Sequence, residues 1–438
     1  MLFGKPTVNI RFVLFLLLIV FNVLFPKGGV KLSGIPLTIG NVVLMLALMY
    51  TIVYRGFKNI TKSENFIFIF IGYWIIRFIL VFVINDKFSF SALVGYFVPL
   101  CVYPLVYFFI VRYVDRWDVL NNIIRLIHIS IWCVLFYSII QFIFEIGFTA
   151  IPFLTVNYSD WVEAPNSWWL EKHNGVGSVS KIVSTYQNGN LLGANLLLFC
   201  PFVCYTIHSN NLRNVFLFLS LFVVFLAGSR SMYVAIIIYI IYKIFNHNVL
   251  KNKIKRISPF SIVVIVIGSI TFIWYFVNKV DVNLFRRMLT ITDVDVLKSG
   301  TGRVESFVEY LQWLSNNDSI IDVIFGSIGF SYSGGAYEML YASLFVIGGL
   351  IGLIVTVYAF VSVFKSQHYE DKMLNGIKDG FILYAIAAIS EGAFWLPPLA
   401  LNLWMMLGLH NRIAYFHKIQ NPNSNFRLPC TSLSTAAS

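Results

Sequence analysis

A few polar groups stand where this chain leaves long apolar runs, and their types suit phosphate and sugar chemistry. Ala227-Gly228-Ser229-Arg230-Ser231 is a sharp break between two such runs. A Gly-Ser turn ahead of a helix exposes free N–H groups, and Arg230 adds a two-pronged donor for phosphate oxygens. Read structurally, the same arginine only snorkels to headgroups. Gly300-Thr301-Gly302-Arg303-Val304-Glu305 opens a stretch with amphipathic spacing at Phe307, Tyr310, Leu311 and Leu314. Phe325-Gly326-Ser327-Ile328-Gly329-Phe330 and Ser333-Gly334-Gly335 follow, leading to Tyr337-Glu338 at the mouth of a long apolar run. That run continues through Gly348-Gly349-Leu350-Ile351-Gly352. Glu338 is placed to take a proton from a hydroxyl, or simply to sit as a carboxylate on a helix dipole.

Further candidates lie elsewhere. Arg77 falls inside the apolar run Tyr73-Trp74-Ile75-Ile76-Arg77-Phe78, where a charge costs at least about 2.5–3.5 kcal/mol on insertion scales. It needs a wet cavity, a phosphate or a carboxylate partner. Glu391, in Ser390-Glu391-Gly392-Ala393-Phe394-Trp395, is one such partner or a sugar contact. Arg286 and Arg287 offer further phosphate donors, or else a solvated loop face. Trp168 and Trp169, beside Glu163, Glu171 and His173, suit stacking on sugar rings or an interfacial aromatic belt. Asn188 in Tyr186-Gln187-Asn188-Gly189-Asn190 puts polar groups at the start of another run.

The elements that must position these groups are set by composition. Of 438 residues, 58% are apolar and 12% charged, with a mean hydropathy of +0.78. Soluble domains carry about 25% charged residues, so a soluble enzyme, a disordered chain and a disulfide scaffold are excluded. Apolar runs are expected at about 11–25, 37–54, 66–84, 93–111, 123–146, 189–207, 212–228, 230–246, 259–278, 337–363, 374–391 and 395–416, most near the ~17–25 residues of a spanning helix. The expected fold is an all-α polytopic membrane protein of about twelve transmembrane helices. Residues 1–420 form one integral membrane domain, and 421–438 a cytoplasmic tail. Two long outer loops, about 147–188 and 278–336, carry the polar mass. With both termini inside, twenty Lys and Arg fall on the cytoplasmic side against eleven outside, which favours that orientation. The basic excess is thereby explained without nucleic acid. No P-loop or Cys/His ligand spacing occurs, so ATP chemistry, metal and other cofactors are not expected.

The Gly-Ser-Arg break, the Gly-Arg-x-Glu stretch, the Phe-Gly-x-x-Gly turn and the Gly-Gly-Leu-Ile-Gly-Leu helix occur in that order over Ala227 to Leu353. This order resembles the O-antigen polymerase (Wzy) and O-antigen ligase superfamily of bacterial inner-membrane proteins. The resemblance implies metal-independent transfer of lipid-linked glycans at the periplasmic face. Glu338, Arg303 and Arg230 are then the catalytic candidates. Arg286, Arg287, Arg77, Tyr337, Glu391, Trp168, Trp169 and Asn188 are the substrate-binding ones. The expected partners are undecaprenyl-pyrophosphate-linked glycans as donor and acceptor, and membrane lipids, with a chain-length regulator as a further candidate. Ligase members carry a His-Asn pair where this chain has Tyr337-Glu338, and the loop from Asn278 to Ala336 holds no histidine. Polymerase is therefore expected, with ligase and lipid-glycan transporter or flippase as alternatives.

Overall fold

A helix that is apolar on every side has no face to give to water, and its two sides are divided between protein and lipid. Helix α3 (Lys62–Ile84) shows the division. Phe70, Trp74, Arg77, Phe78 and Val81 are buried, while Ile69, Ile76, Ile79 and Leu80 on the other side are exposed. The structure is a computed structural model. It describes residues 10–32, 35–54, 62–84, 90–144, 149–163, 182–246, 303–317, 320–327, 339–365 and 371–420, without the side chains of residues 31–32, 35–36, 62–63, 84, 90–93, 160–161, 163, 230, 244–246, 303–306, 317, 365 and 420. Within them, five segments are long and apolar enough to cross a membrane: Glu64–Val83, Val94–Tyr113, Trp117–Phe144, Gly189–Thr206 and Leu340–Phe364. This is a mostly helical membrane protein.

The remaining helices complete a bundle. In chain order, α1 (Ile10–Ile19), α2 (Ile39–Tyr54) and α3 are followed by α4 (Phe90–Phe97), α5 (Leu105–Tyr113) and α6 (Trp117–Phe144). Next come the short α7 (Tyr158–Glu163), then α8 (Gly189–Thr206), α9 (Asn210–Leu226) and α10 (Arg230–Asn246). After these stand α11 (Arg303–Asn317), α12 (Ile320–Phe325), α13 (Leu340–Lys365), α14 (Lys372–Ala387) and α15 (Leu399–Gln420). Every expected apolar run falls on helix except 259–278, which lies outside the described residues, as does the tail 421–438.

Helix α15 is the axis. Its residues from Leu399 to His410 are all buried, including Asn402 and His410 at 0% exposure. A buried amide needs partners. Asn402 Nδ2 donates to Asn195 Oδ1 of α8 at 2.8 Å and to the Asn22 carbonyl at 3.0 Å, tying three helices together. Asn22 sits in a π-helical turn, Val20–Leu24, that ends α1. A second π turn, Val98–Val102, contains Pro99 and links α4 to α5.

The all-helical expectation needs one correction. Gly29–Leu32 and Ile35–Thr38 pair as an antiparallel hairpin, β1 and β2, ahead of α2. The run expected from 37 therefore becomes helix only at Ile39. Thr38 stays extended and its Oγ1 accepts the Asn41 N–H at 3.2 Å, a helix cap.

Candidate functional site

Several helix ends meet at one end of the bundle, which we call the Glu391 end. Asn188 starts α8 as its cap, Oδ1 accepting the Leu191 N–H at 2.8 Å. Gly189 then packs so closely on the α9–α10 break that a Cβ there would lie 2.2 Å from the Ala227 carbonyl oxygen. Only glycine fits. The preceding strand of chain is held to the same break, Ile182 N–H donating to the Leu226 carbonyl at 3.2 Å. Within the break, Ser229 is buried and its hydroxyl lies 3.0 Å from that of Ser231. Ser231 Oγ is in turn 3.5 Å from Glu391 Oε2.

Glu391 is 6% exposed and follows the end of α14 in a non-helical stretch, rather than ending the helix itself. The fourth element is α13, whose first N–H, at Leu340, donates to the Ala388 carbonyl at 3.2 Å. Its neighbour Tyr341 gives its hydroxyl to the Ala385 carbonyl at 2.9 Å. The N-termini of α8, α10 and α13 thus converge beside one buried carboxylate. Helix N-termini carry partial positive charge and attract anions, while the carboxylate supplies a proton acceptor. Such a site can hold a phosphate and a hydroxyl together. The Tyr186 hydroxyl, just ahead of α8, donates to the Val23 carbonyl at 2.7 Å, and burial pushes its ionisation well up. It is a structural donor.

A second constellation forms around Arg77. Helix α13 is broken at Gly349, where φ is +61° and ψ −163°. A break frees carbonyls that lipid cannot satisfy, and three successive ones find donors. Val346 accepts the Ser327 N–H at 3.0 Å, Ile347 accepts Arg77 Nε at 3.0 Å, and Gly348 accepts the Tyr73 hydroxyl. Arg77 Nη2 reaches on to the Gly326 carbonyl at 2.8 Å. A Cβ on Gly349 would sit 2.4 Å from Gly326 N. Arg77 therefore staples α3 to the α12 turn and to the first half of α13, just ahead of its break. Tyr310 of α11 is buried against Leu314 and Val346 close by, its ionisation raised by burial and then by Asp322.

The opposite end of the bundle is paired differently. Arg112 meets the fully buried Glu64 at 2.9 Å, Lys243 meets Asp379 at 2.8 Å, and His417 lies 3.2 Å from Asp371. Tyr205 also donates to Asp379, at 3.1 Å.

Of the sequence-predicted residues, Asn188, Glu391 and the backbone of Arg230 come together at the Glu391 end. Arg77 sits in the staple, and Arg303 begins α11 with its side chain undescribed. Glu338, Tyr337, Arg286, Arg287, Trp168 and Trp169 lie outside the described residues. Sequence reading missed Ser231 and Tyr384 as neighbours of Glu391. No local spacing signals that pairing, because α14 ends at Ala387 before the chain reaches Glu391. Among the described residues no group of three or more His, Cys, Asp or Glu is placed to hold a metal. Comparisons with protein families, with curated proteins and with solved structures each found no match.

Proposed function

We propose that the chain is a metal-independent membrane glycosyltransferase of the O-antigen polymerase kind, joining undecaprenyl-pyrophosphate-linked repeat units at the periplasmic face of a bacterial inner membrane. The observation that carries this reading is the convergence of three helix N-termini and buried Glu391 at one end. Departing pyrophosphate carries several negative charges near a low-dielectric boundary, so fixed donors there weigh heavily. Arg230 and Arg303, each at a helix start, are its proposed ligands. An acceptor hydroxyl needs a base. Glu338 stands two residues before α13 in sequence, and α13 begins against Ala388 near Glu391. We assign Glu338 as base and Glu391 as the group that orients the acceptor sugar.

In this reading the Glu391 end faces the periplasm, about twelve helices span the membrane, and both termini are cytoplasmic. The ion pairs of Arg112 and Lys243 then lie on the cytoplasmic side, as the excess of basic residues there favours. The test is the glycan ladder of cells lacking the chain. Single repeats on lipid carrier support polymerase. Full-length unattached chains mean ligase, and an unchanged ladder removes the glycan reading.

A further inference from the structure

An apolar groove of about 360 Å³ runs between α13 and α14 over α15. Leu340 and Tyr341 line it toward the Glu391 end, Phe360 and Phe364 toward the other, and Leu403 forms part of its floor. Val357 on its wall is 44% exposed, so the groove opens sideways to the lipid. In such surroundings a hydrocarbon chain is the natural filling.

One lining residue departs from this pattern. Lys378 is half-buried on the groove wall, six residues into α14 from the end opposite Glu391. Among the described residues no carboxylate lies within ion-pair distance of it; its neighbour Asp379 is taken by Lys243 at 2.8 Å and by Tyr205. Its stem can lie along apolar wall while its ammonium seeks an anion at the interface. Lys372 and Lys418 lie toward the same ends of α14 and α15.

An apolar trough with a cation at one end matches an anionic lipid. The position of the cation selects which lipid. A substrate reacting at the Glu391 end would place its phosphates there, at the far end of the groove from Lys378. We propose that the groove binds an anionic glycerophospholipid from the leaflet opposite the Glu391 end, an acyl chain lying between α13 and α14 and the phosphodiester on Lys378. This site is independent of the transfer reaction proposed above, and it would brace the two helices whose tips meet at Leu340 and Ala388.

The full-length chain, purified and delipidated in detergent, is titrated with dioleoyl-phosphatidylglycerol or dioleoyl-phosphatidylcholine and read by native mass spectrometry. Wild type should bind the anionic lipid at least about fivefold more tightly, the weight of one lysine at an anionic surface. Lys378→Gln should abolish that preference and Lys378→Arg should keep it. Ala385→Trp, which fills the groove from α14, should weaken both lipids. Equal binding of the two lipids by wild type, or an undiminished preference in Lys378→Gln, overturns the assignment. So does displacement of bound phosphatidylglycerol by equimolar undecaprenyl phosphate, which would give the groove to the isoprenoid chain. If Lys378→Gln fails to fold, the wild-type preference and the undecaprenyl competition still decide.

Discussion

A guanidinium can feed two separated carbonyls because its donors sit on different nitrogens of one rigid plane. Arg77 donates through Nε to Ile347 and through Nη2 to Gly326. Lysine can reach one of them, methionine neither. Each buried carbonyl left unmet costs about 1–3 kcal/mol, so Arg77→Met should lower the thermal midpoint in detergent well below that of Arg77→Lys, with wild type highest. An Arg77→Met protein as stable as wild type would show that the staple holds nothing. The charged groups proposed for the transfer reaction call for a different readout. Arg303→Ala and Arg230→Ala should each lose nearly all polymer at equal expression, and Arg303→Lys only part, because the planar fork is lost while charge remains. Glu338→Gln should leave single repeats on the lipid carrier while substrate binding persists. Polymer of normal length from that variant, in a purified assay, would take Glu338 out of the chemistry. Arg77, Gly326 and Gly348-Gly349 each stand out in the sequence. Their junction does not, because the hydrogen bonds join positions 249 and 270 residues apart and local periodicity carries no information about such pairs.

At the scale of elements, α13 is two helices sharing one hydrophobic run. Composition revealed the run because mean apolarity is insensitive to a single backbone rotation. The break needed Gly349 to turn left-handed, and its partner Gly326 also has positive φ, at +86°. Gly349→Ala adds about 1–3 kcal/mol of backbone strain and drives a Cβ against the Ile324 carbonyl at 2.4 Å. Gly72→Ala is the control, since a Cβ there meets nothing within 4 Å. Trypsin resistance of membrane-inserted protein should fall sharply for Gly349→Ala and stay unchanged for Gly72→Ala. Equal resistance of the two would mean the close packing at Gly349 is not needed. The hairpin at Gly29–Thr38 and the π turns at Val20–Leu24 and Val98–Val102 also escaped sequence reading. These are short departures of hydrogen-bond register, and apolar residues fill them as readily as they fill α-helix.

For the whole molecule, the proposed orientation is open to direct chemistry. Cysteines introduced at Ser167 and Ser299 should react with an impermeant thiol reagent in intact spheroplasts, while one at Ser209, on the connection from α8 to α9, should not. Protection of both sites, with the Ser209 variant reactive, would invert the protein. The sequence reached the helical class and most helix limits, since hydropathy alone decides what enters lipid. It could not rank the helices by depth, because α15 with Asn402, His410 and Arg412 reads as one of the less apolar runs and nevertheless buries every residue from Leu399 to His410. That enclosure has a consequence for the order in which the protein is made. Synthesis runs from the N-terminus, so the axis of the bundle is the last described helix to leave the ribosome. Until it arrives, Asn22 and Asn195 face an unfilled centre without the Asn402 amide that later bridges them. The earlier helices must wait, inserted yet unclosed, and a chain halted before Leu399 would present that gap to the membrane's quality-control proteases.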